Sequence, residues 1–198
     1  MNKRELEKKK YDYIYYDKDY KPNRYGHANY AQRIYSYIIN LNVKSILDVG
    51  CGGGEFCKWC SSKGMKTYGL DISSEPELDN RITWLKGVAQ EIPLKSKSVE
   101  FVTAFDLLEH LPEEDLHIAL KEMKRVASKG MIFSFHYTPT IKIFDSPLHH
   151  IVKPKEWWIK QVRNYGTVMI VNRRNKDFGF VFFDDKELKK VIKNENNK

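Results

Sequence analysis

The sequence predicts an α/β fold whose largely parallel sheet is covered by helices on both faces, and three observations predict it. An apolar strand, Ile46-Leu47-Asp48-Val49, runs into a glycine-rich turn, Gly50-Cys51-Gly52-Gly53-Gly54, and then into a helix beginning near Glu55. Short apolar runs then alternate with helical stretches, the pattern of parallel strands joined by crossovers. Two segments of alternating apolar and polar residues close the chain around a polar turn and read as an antiparallel hairpin.

Taken in order, residues 1–10 read as a charged, frayed helix or coil. Residues 11–25 hold Tyr11, Tyr13, Tyr15, Tyr16, Tyr20 and Tyr25. So many aromatic rings favour burial, so this arm is expected to lie across the domain as a lid or as packing. Residues 28–41 form an amphipathic helix with Ile34, Tyr37, Ile38 and Leu41 on one side. Strands are expected at 44–49, 66–71, 81–86, 99–105 and 130–136, and helices at 54–63 and 113–128. The link from 72 to 80, rich in Ser, Glu and Pro, holds a helical turn at most. Pro154 opens a helix that runs to residue 164, since proline is tolerated in a first turn. The hairpin strands are 167–172 and 178–183, around Arg173-Arg174-Asn175-Lys176-Asp177. With 198 residues, one well-buried domain is expected: an arm at 1–27, the domain at 28–185 and a basic tail at 186–198.

The formal net charge is +8, but residues 1–10 and 186–198 each carry five basic and two acidic residues, which accounts for most of it. The remainder is only mildly basic, so a continuous phosphate-tracking face is not favoured and the ends are expected to be solvated. No apolar run is long enough to cross a bilayer, and the first ten residues lack the apolar core of a signal peptide. A cytoplasmic location without membrane contact is expected, and no feature sets an oligomeric state. Cys57 and Cys60 have the spacing of a redox or zinc motif, but no second pair completes a tetrahedron. Their i, i+3 spacing beside Phe56 and Trp59 suits a helix core, and no metal is expected.

The glycine turn is a ligand-binding turn: positive φ brings bare N–H groups close to a ligand, and the following helix start supplies unpaired donors. A dinucleotide turn wants a third small residue for tight helix packing, whereas the two registers here put Glu55 or Cys57 there. Asp48, just before the turn, repels a pyrophosphate and attracts an ammonium group. A second acid, Asp71, ends the next strand, where a carboxylate accepts hydrogen bonds from ribose hydroxyls. A zwitterionic, phosphate-free adenosine compound fits better than a dinucleotide.

With these residues in view, the chain resembles the class I S-adenosylmethionine-dependent methyltransferases, in the group carrying L-D-V-G-C-G-x-G. Gly87-Val88-Ala89-Gln90-Glu91-Ile92-Pro93-Leu94 resembles that family's G-D-A-x-x-L-P-F segment, and Phe101 to Pro112 resembles its fourth-strand segment ending in L-E-H-L-P. The resemblance covers residues 30 to 135. It implies a single Rossmann-like domain with a seven-stranded sheet and a C-terminal antiparallel hairpin, and S-adenosylmethionine as cofactor. It places Asp48, Gly50, Cys51 and Gly52 at the methionine end, Asp71 on the ribose, Ile72 on the adenine and Ala89 and Gln90 at the adenine edge. Phe105 and Asp106 would form the floor beneath the methyl group. Val88 departs from the pattern, standing where the family has an acid. Arg24, Tyr25 and His27 precede the first domain helix, where related enzymes contact the cofactor carboxylate.

In an open parallel sheet the chemistry lies beyond the C-terminal strand ends. His149 and His150, in an irregular insertion after the fifth strand, are the preferred proton acceptors for a hydroxyl substrate. His110 and Asp106 are further candidates, and His136 faces either the site or the helix layer. Adjacent histidines in an extended chain point in opposite directions, which disfavours a metal held by His149 and His150 together. Lys153-Pro154-Lys155-Glu156-Trp157-Trp158 loosely resembles a segment of sugar and polysaccharide methyltransferases, though neighbouring tryptophans also divide between core and surface. The expected activity is methyl transfer to an oxygen of a small molecule or sugar. The alternatives are an RNA or protein methyltransferase and a non-catalytic cofactor-binding partner subunit.

Overall fold

The computed structural model describes residues 3–16, 32–73, 80–140, 142–173 and 176–195. A seven-stranded sheet organises them. Strands β1 (Ser45–Val49), β2 (Lys66–Asp71), β3 (Ile82–Lys86), β4 (Val99–Ala104) and β5 (Ala127–Phe135) run parallel to one another. A two-residue hairpin follows, β6 (Lys142–Ile143) with β7 (Ser146–Pro147). The chain then returns as β8 (Thr167–Arg173) and β9 (Lys176–Phe182), antiparallel to each other, with β9 also antiparallel to β5. The strand order is β3-β2-β1-β4-β5-β9-β8. The order reverses at β1 and β4, so their C-terminal ends open the crevice in which such sheets bind ligands.

The helices are α1 (Lys3–Tyr16), α2 (Tyr35–Asn40), α3 (Glu55–Ser62), α4 (Leu116–Val126), α5 (Lys155–Arg163) and α6 (Asp185–Glu195). Side chains alternate across a strand, so neighbours in the sheet feed two separate cores. Leu47, Val102, Met131 and Phe133 pack with Leu120 and Met123 of α4 and Trp158 and Val162 of α5. Ile46, Phe101, Ile132, Phe180 and Phe182 pack on the opposite face with Ile38 of α2, Phe56 and Cys60 of α3 and Val191 of α6. Cys57 and Cys60 are buried free thiols within this helix layer. Trp158 is buried against Phe135, with ring centroids 5.8 Å apart, while Trp157 is half-buried.

The structure departs from the sequence reading at several boundaries. The helix expected at 28–41 is a 3-10 turn at Gln32–Ile34 followed by the short α2, and residues 28–31 lie outside the described residues. The helix expected from 113 begins with a 3-10 turn at Glu113–Asp115. It hands over to β5 at Ala127 with no loop, because Ala127 is already paired with Val99. The tail expected at 186–198 is helical as far as Glu195. Leu188 and Val191, three residues apart, form an apolar stripe between lysines, and Val191 is fully buried. The link at 74–79 and the turn at 174–175 lie outside the described residues. Among the described residues, no helix is long and apolar enough to cross a membrane.

Gly130 marks where the parallel and antiparallel halves meet. A Cβ there would stand 2.5 Å from the Val181 carbonyl oxygen and 2.7 Å from the Phe101 ring. Backbone cannot step aside as a flexible side chain can. Gly130→Ala is therefore expected to destabilise the domain by about 2 kcal/mol or more, read as a lower urea midpoint at unchanged slope.

Candidate active site

The turn after β1 is built as its glycines require: Gly50, Gly52 and Gly54 have φ of 73°, 51° and 74°. At Gly50 a Cβ would also collide with Leu107 at 2.8 Å. The turn is held to β2, since the N–H groups of Gly50 and Cys51 donate to the Leu70 carbonyl at 2.7 and 3.1 Å. The next donor, Gly52 N–H, reaches the Asp71 carboxylate at 2.9 Å, whose other oxygen accepts from Ser73 N–H at 2.9 Å. Asp71 thus binds the turn to its own strand end.

Asp48 lies one strand away and is buried. Its Oδ1 accepts a hydrogen bond from the Thr103 hydroxyl at 2.7 Å, and its Oδ2 has no partner among the described residues. Burial pushes its carboxyl up to about 7; the Thr103 hydrogen bond opposes the rise and the charge of Asp71 adds to it. Cys51 is buried beneath the turn, Ile72 is half-buried and Ala89 is buried. The Gln90 amide donates to Asp115 at 2.8 Å, so its side chain is held by the first turn of the α4 segment. Phe105 is a core residue, edge-on to Phe56 at 5.0 Å and to Phe178 at 6.2 Å. Arg24, Tyr25 and His27 lie outside the described residues.

Beyond β4, Asp106 adopts φ 47°, a left-handed conformation that Asp tolerates better than most residues. Its N–H donates to the Ser134 hydroxyl at 2.8 Å, the hydroxyl donates back to its carboxylate at 3.0 Å, and the buried Lys176 ammonium pairs with the same oxygen. Glu109 follows in a 3-10 turn, Leu108–His110, and is fully buried with both carboxylate oxygens lacking a hydrogen-bond partner among the described residues. Burial pushes its carboxyl up to about 8; Asp106 adds to this and Lys176 opposes it.

The insertion after β5 is braced on this turn. The N–H groups of His150 and Ile151 donate to the Glu109 carbonyl at 2.8 and 3.0 Å, and His110 Nδ1 donates to the Leu148 carbonyl at 2.8 Å. His149 donates from Nδ1 to the Thr138 carbonyl at 2.8 Å, and its ring lies 4.7 Å from His110 and 4.6 Å from His136. His136 therefore faces the site. Burial lowers the pKa of both His136 and His149 below the usual 6.5, so both rings are neutral at pH 7. His150, expected beside His149 as a proton acceptor, points the other way: its Nε2 contacts Glu7 at 2.8 Å and Lys10 at 3.2 Å.

Those contacts belong to the arm. Lys10 is completely buried, paired with Glu7 at 2.6 Å and donating to the Pro147 carbonyl at 3.0 Å and the Ser146 hydroxyl at 3.2 Å. Ile14 packs with Ile143 and Leu148, Tyr13 lies edge-on to Phe144 at 5.4 Å, and Tyr11 lies edge-on to His110 at 5.9 Å. Asp12 accepts a hydrogen bond from the Ser73 hydroxyl, two residues beyond Asp71. Sequence reasoning missed Thr103, Ser134 and Lys176, because each reaches its partner only through strand pairing. Thr103 stands opposite Asp48 in the β1–β4 register, an adjacency that no local motif carries.

A carboxyl raised in the folded state holds its proton more tightly than in the unfolded chain. Its contribution is complete at low pH and is lost as pH climbs from the ordinary carboxylate range through about 7. Relative to Asp48→Asn, the wild-type domain is expected to lose stability between pH 5 and pH 8, measured by urea unfolding at both pH values. Equal losses in the two proteins would place the titration elsewhere.

Residues 47–135 match the family model of a methyltransferase domain. A ubiquinone biosynthesis O-methyltransferase of Saccharophagus degradans is 33% identical over 38% of this chain and 36% of its own length. A second, from Photobacterium profundum, is 32% identical over 46% of this chain and 42% of its own. The matched region thus spans less than half the length of these curated relatives. Magnesium protoporphyrin IX methyltransferase from Synechocystis, solved with bound S-adenosylmethionine, superposes with TM-score 0.67 over 93% of this chain and 98% of its own at 16% identity. A Pyrococcus horikoshii protein superposes with TM-score 0.66 over 86% and 94% at 17% identity. The glycine turn, the paired strand-end acids and the sheet order agree with these matches: the chain carries a class I S-adenosylmethionine-dependent methyltransferase domain.

Proposed function

We propose that the protein transfers the methyl group of S-adenosylmethionine to a hydroxyl oxygen of a small molecule, with α1 and the 137–153 insertion forming the cover over the acceptor. The cofactor side fits its ligand on one observation above others. Asp48 Oδ2 is a buried oxygen without a hydrogen-bond partner among the described residues, and an ammonium group at the methionine end supplies both the donor and the charge that it lacks. The glycine turn brings its backbone close beside it, with the Gly50, Cys51 and Gly52 N–H groups already bonded within the fold, and Asp71 stands at a strand end, where a carboxylate meets ribose hydroxyls. When bound, the cofactor supplies a methyl group on a sulfonium sulfur for in-line displacement.

The acceptor side rests on the histidines beyond β4 and β5. His136 is neutral at pH 7, half-buried and at a strand end, so it suits the proton released when the acceptor hydroxyl becomes an ether oxygen. The Lys176–Asp106 pair beside it keeps that floor polar. The names of the curated relatives, ubiquinone biosynthesis O-methyltransferases, support a small hydroxylated acceptor. Burial of Trp158 in the core leaves only Trp157 to stack on a sugar, which favours other hydroxylated acceptors. Three buried, unpaired cysteines support a reducing, cytoplasmic setting.

Asp71→Asn is expected to weaken S-adenosylmethionine binding at least tenfold in calorimetry, because an amide nitrogen then faces donors where an oxygen accepted them. His136→Ala is expected to lower kcat by on the order of a hundredfold and leave cofactor affinity unchanged. The acid limb of the wild-type pH–rate profile should fall below pH 6.5, the ordinary histidine value, and vanish in the variant. Full activity of His136→Ala with the limb intact would remove His136 from the proton's path.

A further inference from the structure

Glu109 is the least explained side chain in the domain. A carboxylate in a fully buried position with neither oxygen hydrogen-bonded among the described residues is costly. Two histidines lie against it: one ligand atom from each of Glu109, His110 and His149 falls within 4.8 Å of the others. Both rings donate their Nδ1 proton to a backbone carbonyl, His110 to Leu148 and His149 to Thr138. A carbonyl oxygen can only accept, so each ring carries a proton on Nδ1, and in the neutral ring Nε2 is the nitrogen with the lone pair. This is how a protein orients imidazoles that bind metal.

We propose that Glu109, His110 and His149 form a binding site for a divalent transition-metal cation. Two imidazoles and one carboxylate suit Zn2+, Mn2+ or Fe2+ better than Mg2+ or Ca2+, which favour all-oxygen shells. A tetrahedral ion with bonds of about 2.1 Å holds its ligands roughly 3.4 Å apart, so side-chain rotations of about an ångström close the site. The adjacent histidines diverge: His149 turns to this cluster and His150 to Glu7 and Lys10. The third and second ligands come instead from the 3-10 turn after β4, brought to the insertion by the hydrogen bonds of His150 and Ile151 to the Glu109 carbonyl. Three protein ligands leave a position open. On the methyl-transfer reading, that position would hold the acceptor oxygen, with His136 beside His149 to accept its proton.

The test reads metal uptake by the whole chain. After dialysis against a chelator, calorimetric titration with ZnCl2 and separately with MnCl2 should show one equivalent bound. Glu109→Gln and His149→Ala should each weaken that binding at least tenfold, while His150→Asn leaves it unchanged. Circular dichroism checks that each variant is folded; His149→Ala, at a half-buried position, decides the matter if Glu109→Gln does not fold. The Co2+ complex should show ligand-field bands without a thiolate charge-transfer band, which excludes Cys51, Cys57 and Cys60. No stoichiometric uptake, unchanged affinity in His149→Ala, or a thiolate band would overturn the site. S-adenosylmethionine binding by the metal-free protein is measured separately: cofactor affinity without metal uptake sinks the metal site alone, and metal uptake without cofactor affinity sinks the methyl-transfer reading alone.

Discussion

The carboxylate of Asp71 accepts one N–H from the glycine turn and one from its own strand end, and the remaining cofactor architecture is arranged around that double bond. It fixes how far the turn stands from β2, and with it the backbone beside Asp48. Both acids are buried and one strand apart, so their charges oppose each other; Thr103 offsets part of that cost through a single hydrogen bond. A cationic ligand relieves the rest. On the proposed function, the ammonium of an amino-acid cofactor is the complement for the Asp48 oxygen that has no partner among the described residues.

Much of this half was legible in the residues. The run from Ile46 to Phe56 carries its meaning locally: an alternating strand, glycines that must turn, then a helix start. Asp71 is likewise found by its position at a strand end. The proposed acceptor side is different in kind. Glu109 and His110 are adjacent in sequence, but His149 joins them from 39 residues away, across an insertion whose path depends on two hydrogen bonds to one carbonyl. Lys176 reaches Asp106 only because β9 pairs with β5. No periodicity encodes such meetings, since they are products of register.

The C-terminal end shows a related blindness. Counting charges over 186–198 points to a solvated tail, yet two apolar residues three apart are enough to dock a helix when an exposed sheet face lies opposite. Lysines on the outer side of α6 account for the charge without contradicting the packing. In the arm, α1 is held through Tyr11 and the buried Lys10 while Tyr13 is exposed, and residues 17–31 lie outside the described residues.

The Lys10 ammonium has consequences beyond packing. It is buried, paired with Glu7 on its own helix and received by a carbonyl and a hydroxyl on the insertion, so separating the two segments breaks both of those hydrogen bonds. α1 and the insertion are thus tied together at one buried side chain. On the proposed function, the cover over the acceptor would then respond to a change at Lys10 as a unit of two segments.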